Sequence, residues 1–284
     1  MSKEKLVQLL DEVTDLPTLP TVYVKINSLL QSSQANAARV ARIVEADQAI
    51  ATKVLRLVNS SYFGLSRQVT QINQAVVLLG FNAIRSVVLS VSVFESFKGD
   101  GNTRFDRREF WKHAIATGVI ARRLAKDLRI GAEEDAFSGG ILHDVGKLVL
   151  DQVLPSEFNA ILEYVDQNGC SIIEAEHRIL GTDHCEVGEY LLEKWNLPPL
   201  LIECVALHHS PAIFRSNPQM VSVIHLADIF ARRLHIGSGG DNMIPTPDPF
   251  ALDELEIDMD DFLAEEENIQ TVLEQSQDML ALVG

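Results

Sequence analysis

Residues 139–150 read GGILHDVGKLVL, an apolar segment that carries three ionisable side chains. His143 and Asp144 are adjacent, and Lys147 follows about one helical turn later, so a helix would place all three towards one side. Aspartate and lysine are rarely buried unless they are paired or bound to a metal. Two interpretations are therefore open. The pair is either a buried hydrogen bond, with Lys147 extended to solvent, or part of a metal site.

The composition of the chain is that of a globular protein. Its 284 residues are 46% hydrophobic and 23% charged, which allows a sizeable core. No apolar run approaches the roughly 20 residues that span a bilayer, and the N-terminus lacks the apolar core of a signal peptide. Cys170, Cys185 and Cys204 are scattered, without a C-x-x-C spacing. We expect a cytoplasmic protein with no membrane association and no disulfides.

The net charge of −16 is concentrated near the C-terminus. No lysine or arginine follows Arg233, whereas 13 acidic residues do, so the preceding part of the chain is nearly neutral. Nucleic-acid binding without sequence specificity relies on clustered basic side chains. The pattern therefore argues against a nucleic-acid partner. It also predicts that the acidic tail is solvated or docks on a basic partner.

Apolar residues recur with helical spacing through most of the chain, and no stretch indicates a strand. We therefore predict an all-α fold in three parts. Residues 1–98 form an N-terminal helical module, residues 99–236 form a second helical domain that contains the opening segment, and residues 237–284 form a linker and an acidic helical tail. The first boundary is the run GDGNT at 99–103, and the linker is rich in Gly, Ser, Asn, Asp and Pro.

Further histidine and carboxylate side chains accompany the opening pair in the second domain. Single histidines are usually ordinary core or surface residues, which is how we interpret His177, His225 and His235. The remaining set contains only nitrogen and oxygen donors, which suit zinc, iron or manganese. It is too large for one tetrahedral ion and suits two ions that share ligands, a kind of site that activates water and holds phosphoryl oxygens. The candidate ligands are Glu109, His113, His143, Asp144, His184, His208, His209 and Asp228.

The order of these residues, His … His-Asp … His … His-His … Asp, resembles the HD superfamily of metal-dependent phosphohydrolases. The first 230 residues as a whole resemble an HDOD protein, since the stretches 16–20, 54–64 and 81–92 are similar to the N-terminal module of that family. The resemblance implies that Asp144 bridges two metal ions. It implies a basic ligand set of His113, His143, Asp144 and Asp228. It matches the additional residues of the multinuclear HD-GYP branch to His184, His208, His209, Glu109 and Lys147.

Two features separate the chain from well-defined branches of that superfamily. The paired histidines are followed by Ser-Pro-Ala-Ile-Phe at 210–214, where cyclic di-GMP phosphodiesterases carry Gly-Tyr-Pro. The Glu-Asp pair that accompanies the His-Asp pair in alarmone hydrolases is missing, because apolar residues follow Lys147. Both features argue against these two substrate classes.

Two functions remain open. In the first, the chain is a bacterial signal-transduction protein and a metal-dependent phosphohydrolase of a phosphoester or nucleotide. It would hold two divalent ions (iron, manganese or zinc), with Asp144 at the reacting centre and Lys147 stabilising charge on a phosphoryl oxygen. In the second, the metal site is structural or sensory in a non-catalytic scaffold. Either function is compatible with a signalling protein as partner and with a homodimer.

Overall fold

The computed structural model describes Leu10, residues 16–97 and residues 104–275. Every regular element in those ranges is a helix, which confirms the all-α prediction. The chain forms two compact units, whose main spans are Pro17–Gly99 and Asp100–Leu273. The boundary predicted at 99–103 lies outside the described residues.

The described part of the first unit is built from four helices. Asn36 and Asp47 begin two of them, because each side chain accepts a hydrogen bond from a backbone amide of the first turn. Gly80, with φ 85° and ψ 170°, interrupts the longest one. The helices are α1 (Thr21–Leu30), α2 (Ala37–Glu45), α3 (Gln48–Val58) and α4 (Ile72–Ser96), with a 3₁₀ turn at Ser61–Phe63.

Helix α4 is the one described helix that could cross a membrane by length and composition. Its most apolar 18-residue window has a mean hydropathy of 1.9, and 61% of that window is buried inside the protein. The sequence expectation missed this window because serines interrupt the apolar residues without ending the helix. Ser90, for example, donates its hydroxyl to the Ser86 carbonyl at 3.0 Å. Buried core helices pass the same test, so α4 is weak evidence for a membrane span.

The second unit contains the remaining helices. Helix α5 lies against α6 and α12, and α10 lies against α7 and α11. Phe110, Ile115 and Ile120 of α5 are fully buried and form the centre of this core. The helices are α5 (Arg107–Asp127), α6 (Glu133–Leu142), α7 (Val145–Val153), α8 (Pro155–Asn168), α9 (Ile172–Ile179), α10 (His184–Lys194), α11 (Pro199–Leu207), α12 (Pro218–Arg233), α13 (Pro249–Glu254), α14 (Met259–Ala264) and α15 (Glu266–Gln275).

Close backbone contacts in this unit depend on glycine. A Cβ atom on Gly140 would stand 2.5 Å from the Cα atom of Gly118, so α6 and α5 approach this closely only because both residues lack side chains. A Cβ atom on Gly146 would stand 1.9 Å from the carbonyl oxygen of His184, where α7 meets the start of α10. These contacts set the distances between the helix ends that carry the candidate ligands.

The opening segment is two helices rather than one. Helix α6 ends at Leu142 and α7 begins at Val145, so His143 and Asp144 form the junction between them. Asp144 has φ −101° and ψ 8°, outside the range of an α-helix. A regular helix would turn adjacent side chains about 100° apart. The junction instead brings His143 Nε2 within 3.3 Å of Asp144 Oδ2.

The structure packs the start of the predicted linker against the second unit. The Ser238 amide donates to the Glu109 carbonyl at 3.0 Å. A Cβ atom on Gly237 would lie 2.3 Å from that same carbonyl oxygen. In the sequence these glycines indicate a linker. In the structure, the lack of a side chain at Gly237 lets the backbone pack closely against α5. We call residues 237–244 the glycine-rich segment.

The described part of the acidic tail is helical and packs on the second unit. Phe262 of α14 is buried and stacks on Phe230 of α12, with ring centroids 4.2 Å apart. Arg233 pairs with Glu266 of α15 at 2.6 Å. The apolar spacing of the tail thus indicates its packing, and Arg233 at the end of α12 is a basic partner for one of its acidic residues.

Candidate metal centre

Five segments of the second unit bring candidate ligands into one buried cluster. With the exception of His209, which is half-buried, these side chains are at most 2% exposed. Ionisable groups with so little exposure need partners. The residues are His113 on α5, His143 and Asp144 at the α6–α7 junction, His184 at the start of α10, His208 and His209 after α11, and Asp228 on α12.

The first group of donor atoms comes from α5, the α6–α7 junction and α12. His113, His143 and Asp228 each place one donor atom within 4.8 Å of the others. His113 Nε2 lies 2.9 Å from Asp228 Oδ1, and His143 Nε2 lies 3.8 Å from the same oxygen. Asp144 Oδ2 lies 3.3 Å from His143 Nε2 and 3.9 Å from His113 Nε2. Four side chains therefore face one small space.

The other oxygen of Asp144 faces a second group. Asp144 Oδ1 lies 3.2 Å from His184 Nε2 and 3.5 Å from His208 Nε2. The His209 ring lies beside His208, with centroids 4.1 Å apart, and has a nitrogen within 4.8 Å of donors from His184 and His208. Asp144 thus directs one oxygen to each group, which is the arrangement that a bridging carboxylate requires.

The ring nitrogens that face this space are buried without a hydrogen-bond partner among the described residues. They are Nε2 of His113, His143, His184, His208 and His209. Opposite nitrogens are anchored: His143 Nδ1 lies 2.7 Å from the Gly140 carbonyl, and His208 Nδ1 lies 3.0 Å from the Val205 carbonyl. Because a carbonyl oxygen only accepts, Nδ1 carries the proton in both rings and Nε2 presents a lone pair. This density of unpaired buried nitrogens fits a metal ion.

Neighbouring side chains hold both central carboxylates in the ionised form. Burial raises the pKa of Asp144, but His143 and Lys147 outweigh it and hold that pKa well below the ordinary carboxyl range. Burial also raises the pKa of Asp228. Arg232 outweighs this effect, since its Nε lies 2.9 Å from the carboxylate, and it is the main group that holds the Asp228 pKa well below that range. Ionised carboxylates are the form that binds metal ions.

Burial holds most of the histidines neutral. It lowers the pKa of His208 to about 4 and also lowers the pKa values of His113 and His209. His184 differs: burial lowers its pKa, but the Glu176 carboxylate outweighs burial and raises that pKa well above the ordinary value. Neutral imidazole is the metal-binding form, so His184 would release a proton when it bound a cation.

Lys147 turns inward rather than extending to solvent. Its side chain is fully buried, and Nζ donates to Asp144 Oδ2 at 2.6 Å. The interpretation of Lys147 as a residue extended to solvent is therefore wrong. Its contact orients the central carboxylate, and its effect on a phosphoryl oxygen stays a prediction.

Glu109 is the candidate ligand that the structure leaves outside the cluster. Its side chain is 37% exposed and pairs with Lys112 at 2.5 Å on the surface of α5. Sequence spacing correctly places Glu109 one turn from His113, but it does not reveal which way the longer glutamate side chain extends. The residue contacts the glycine-rich segment through its backbone carbonyl instead.

Two further side chains lie beside the cluster. Cys185 Sγ lies 3.9 Å from His208 Nδ1 and within 4.8 Å of donor atoms of His184, His208 and His209, and burial raises the pKa of this thiol to about 11. His225 uses both ring nitrogens, since Nδ1 contacts the His208 carbonyl at 2.7 Å and Nε2 accepts from the Asp248 amide at 2.9 Å. His225 is a structural residue, as the sequence interpretation has it.

Glu176 belongs to the site but is missing from the predicted ligand set. It is fully buried on α9, and its Oε2 accepts from the His184 amide at 3.0 Å and contacts His184 Nδ1 at 2.7 Å. A carboxylate in this position orients the ring so that Nε2 faces Asp144. The available signal in the sequence is its position four residues after Ile172, on the apolar face of α9.

Arg232 and Asp241 are also missing from that set. Arg232 Nε donates to Asp228 Oδ1 at 2.9 Å, and Nη1 donates to Asp241 Oδ1 at 3.0 Å. The second oxygen of Asp241 accepts from the Ile172 amide at 3.0 Å, at the start of α9. The spacing of Asp228 and Arg232, four apart on a helix, indicates their pairing. Nothing local indicates Asp241, because its partners lie on two other elements.

Comparison with known proteins confirms the resemblance found in the sequence. A family model described as the HDOD domain matches residues 16–211. The fold is similar to that of an HDOD domain protein of unknown function from Geobacter sulfurreducens, with a TM-score of 0.83, 24% identity, and coverage of 99% of this chain and 96% of that chain. It is also similar to a protein from Shewanella amazonensis SB2B, provisionally named a phosphohydrolase, with a TM-score of 0.77, 23% identity, and coverage of 97% and 98%.

Among curated proteins, an uncharacterised protein of Treponema pallidum (strain Nichols) is 25% identical over 228 residues, which are 79% of this chain and 44% of that protein. The chain spans less than half the length of the curated relatives that it matches. At these identities the similar structures show the fold, and the activity of the chain has to be argued from its own site.

Proposed function

Since the chain belongs to the HDOD family, we propose that it is a signal-transduction protein of this family that acts as a metal-dependent phosphohydrolase on a phosphoester or nucleotide. The buried histidine and aspartate cluster supports this proposal. The provisional name of the similar Shewanella amazonensis protein points to the same reaction class.

One observation carries the proposal. Each oxygen of Asp144 faces a different group of buried imidazole nitrogens that make no hydrogen bond to the described residues. A bridging carboxylate between two nitrogen-rich groups suits a pair of divalent transition-metal ions such as iron, manganese or zinc. His113, His143, Asp144 and Asp228 would hold one ion. Asp144, His184, His208 and His209 would hold the other.

The side chains around these donors prepare the centre for hydrolysis. Bound divalent ions would polarise a phosphoryl oxygen and activate water. Lys147 fixes Asp144, Arg232 fixes Asp228, and Glu176 fixes His184, so the donors need little rearrangement. The entropy of ordering these groups is thus lost when the protein folds rather than when the reaction takes place.

Metal analysis of an Asp144 variant tests the assignment. We expect the native protein, reconstituted with Mn²⁺ or Fe²⁺, to hold about two ions per chain. Asp144→Asn should lose most of both, because the substitution weakens a donor shared by the two groups. The matched control is Asp166→Asn, an exposed residue of α8 that pairs with Arg104 on the surface. Stoichiometric metal in purified Asp144→Asn, measured by mass spectrometry, would contradict the assignment.

The same proteins separate hydrolysis from metal binding. The metal-loaded native protein should release phosphate from at least one member of a panel of phosphomonoesters and nucleotides. Asp144→Asn should be slower by about 10²-fold or more, the scale expected when a transition-state contact is removed. Turnover that persists unchanged in Asp144→Asn would have to arise elsewhere.

A non-catalytic role is the second candidate, and the burial of the donors favours it. His143, His184 and His208 are each 0% exposed, as is common for closed structural metal sites. In that case the metal would order the second unit for signalling without turnover. Full metal content together with no turnover on the panel would support this role over hydrolysis.

A further inference from the structure

A cavity of about 280 Å³ lies beside the candidate metal centre. It is lined by His113, Arg232 and His235 and by residues of the glycine-rich segment. His113 also belongs to the first group of candidate ligands. The cavity therefore adjoins the atoms that would hold a metal ion, and it is large enough for a small ligand.

Arg232 has one nitrogen that is left for a ligand. Nε is occupied by Asp228, and Nη1 is occupied by Asp241 and by the Met243 carbonyl at 3.3 Å. No described residue accepts a hydrogen bond from Nη2. The side chain is only 7% exposed, so this unpaired donor is held within the protein at the wall of the cavity. Nη2 is the guanidinium nitrogen nearest Gly239 at this wall, so a ligand in the cavity can accept a hydrogen bond from it.

Gly239 keeps the space beside that nitrogen open. A Cβ atom on Gly239 would stand 2.8 Å from Arg232 Nη2 and 3.5 Å from Asp144 Oδ2. Unlike Gly237 and Gly240, with φ values of 69° and 102°, Gly239 has no positive φ that would require glycine. The lack of a side chain at 239 therefore matters for the space it leaves, which both Arg232 and the central carboxylate border.

The charges around this space favour an anion only when metal is present. Asp144, Asp228 and Asp241 surround it with negative charge, and Lys147 and Arg232 are the cations that contact them. Two divalent ions would reverse the local balance. An oxyanion could then accept from Arg232, whose planar guanidinium suits phosphoryl oxygens.

We propose that this cavity is the binding site for the phosphoryl group of the substrate, with Arg232 Nη2 as a donor to a phosphoryl oxygen and Gly239 as the residue that keeps the position open. The inference rests on the proposed function, because the carboxylates repel a phosphoryl anion until metal neutralises them. His235, Ser238 and Asn242 line the remainder of the cavity, where the group attached to the phosphoryl would lie.

Titration of inorganic phosphate into Mn²⁺-loaded protein, followed by calorimetry, tests this site without relying on turnover. We expect one phosphate per chain in the loaded protein. The metal-free protein should bind phosphate at least about tenfold more weakly, since the carboxylates are then uncompensated. Metal content is measured on the same samples, so that loss of metal and loss of phosphate are distinguished.

Two substitutions of Gly239 fill the space by different amounts. Gly239→Val should keep the native metal content and bind phosphate about tenfold or more weakly, the effect of losing one charge-assisted hydrogen bond. Gly239→Ala should be intermediate, because its single methyl group fills less of the space beside Arg232 Nη2 than the valine side chain does. Ala160→Val, at an exposed position of α8, is the control and should bind phosphate normally.

The outcomes separate the two proposals. If the native protein has full metal content but does not bind phosphate, or if Gly239→Val binds phosphate as tightly as the native protein, the phosphoryl site is wrong and the metal centre stands. If both Gly239 variants lose metal, the glycine shapes the metal centre and the phosphoryl site is overturned. If the native protein holds no metal, the proposed function fails and the phosphoryl site fails with it.

Discussion

At single residues, the candidate centre depends on side chains that orient other side chains. Asp144 accepts from Lys147, Asp228 accepts from Arg232, and His184 is held by Glu176. Each partner is itself buried, so none of these contacts is screened by solvent. The identity of the donors explains which metals suit the site. The orienting partners explain why the donors converge.

Glu176→Gln tests this orientation at the scale of one residue. Glutamine keeps the shape of the side chain but removes the negative charge that polarises the His184 ring. We expect metal affinity to fall by about 10- to 100-fold, the effect typical of losing a partner behind a metal ligand. Competition with a chelator measures this affinity, and Glu174→Gln, exposed on the same helix, is the control.

Two results would contradict the role of Glu176 in orienting His184. Unchanged affinity in Glu176→Gln would show that His184 needs no carboxylate behind it. Equal weakening in Glu176→Gln and Glu176→Asp, with a lower melting temperature in both, would indicate a general packing role. The expected pattern is partial recovery in Glu176→Asp, which restores the charge.

At the scale of elements, one carboxylate holds the turn that leads into α12. Glu203 of α11 accepts from the amides of Arg215, Ser216 and Asn217 at 2.6, 2.9 and 3.1 Å. Helix α11 precedes His208 and His209, and α12 carries Asp228. The turn therefore fixes the connection between two segments of the candidate metal centre.

The pKa of Glu203 makes this contribution dependent on pH. Burial raises that pKa, but the amide donors and the Asn217 side chain outweigh burial and lower it. Because the pKa is lower in the folded than in the unfolded protein, the ionised carboxylate stabilises the fold fully above about pH 4.5, the ordinary value. The contribution is lost as pH falls through the lowered pKa.

Glu203→Gln should therefore lower the free energy of unfolding at pH 7 by about 1–3 kcal/mol, the range for hydrogen bonds to a charged group. The difference from the native protein should shrink in acid, where the native carboxyl is also neutral. Urea unfolding at pH 7 and in acid measures this difference in the free energy of unfolding. Glu193→Gln, at an exposed position of α10, is the control. A difference that is the same at both pH values would contradict a role for the charge.

Sequence patterns predict the elements better than the contacts between them. Apolar spacing and capping residues such as Asn36 and Asp47 indicate the helices, and the acidic tail is helical as its spacing predicts. The break at Asp144 and the packing of the glycine-rich segment are not visible in local patterns. Both depend on close approach at glycines, and a glycine in the sequence does not reveal what lies against it.

At the scale of the whole molecule, metal binding should stabilise the second unit more than the first. The candidate donors all lie in the second unit, and a ligand that binds only the folded state stabilises it. Mn²⁺ at about 100 times its dissociation constant should add about 2.7 kcal/mol per bound ion to the free energy of unfolding of that unit. Hydrogen exchange with and without a chelator should show metal-dependent protection in α5, α6, α10 and α12, and none in α1 to α3.

The Asp144→Asn variant is the control for this measurement, since it should show little metal-dependent protection in any helix. Equal protection of both units would contradict a metal centre confined to the second unit. A similar response in native protein and Asp144→Asn would indicate non-specific binding of Mn²⁺.

The sequence by itself determined the helical class, the HDOD resemblance and nearly all of the candidate donors, because residue type and helical spacing are local properties. Only the tertiary structure decided that Glu109 stays outside the cluster, that Glu176, Arg232 and Asp241 hold it together, and that Asp144 faces a histidine group with each oxygen. The donors are gathered from residue 113 to residue 228, and helix packing at glycine contacts decides which helix ends meet. Such contacts join residues distant in sequence, so no local pattern contains them.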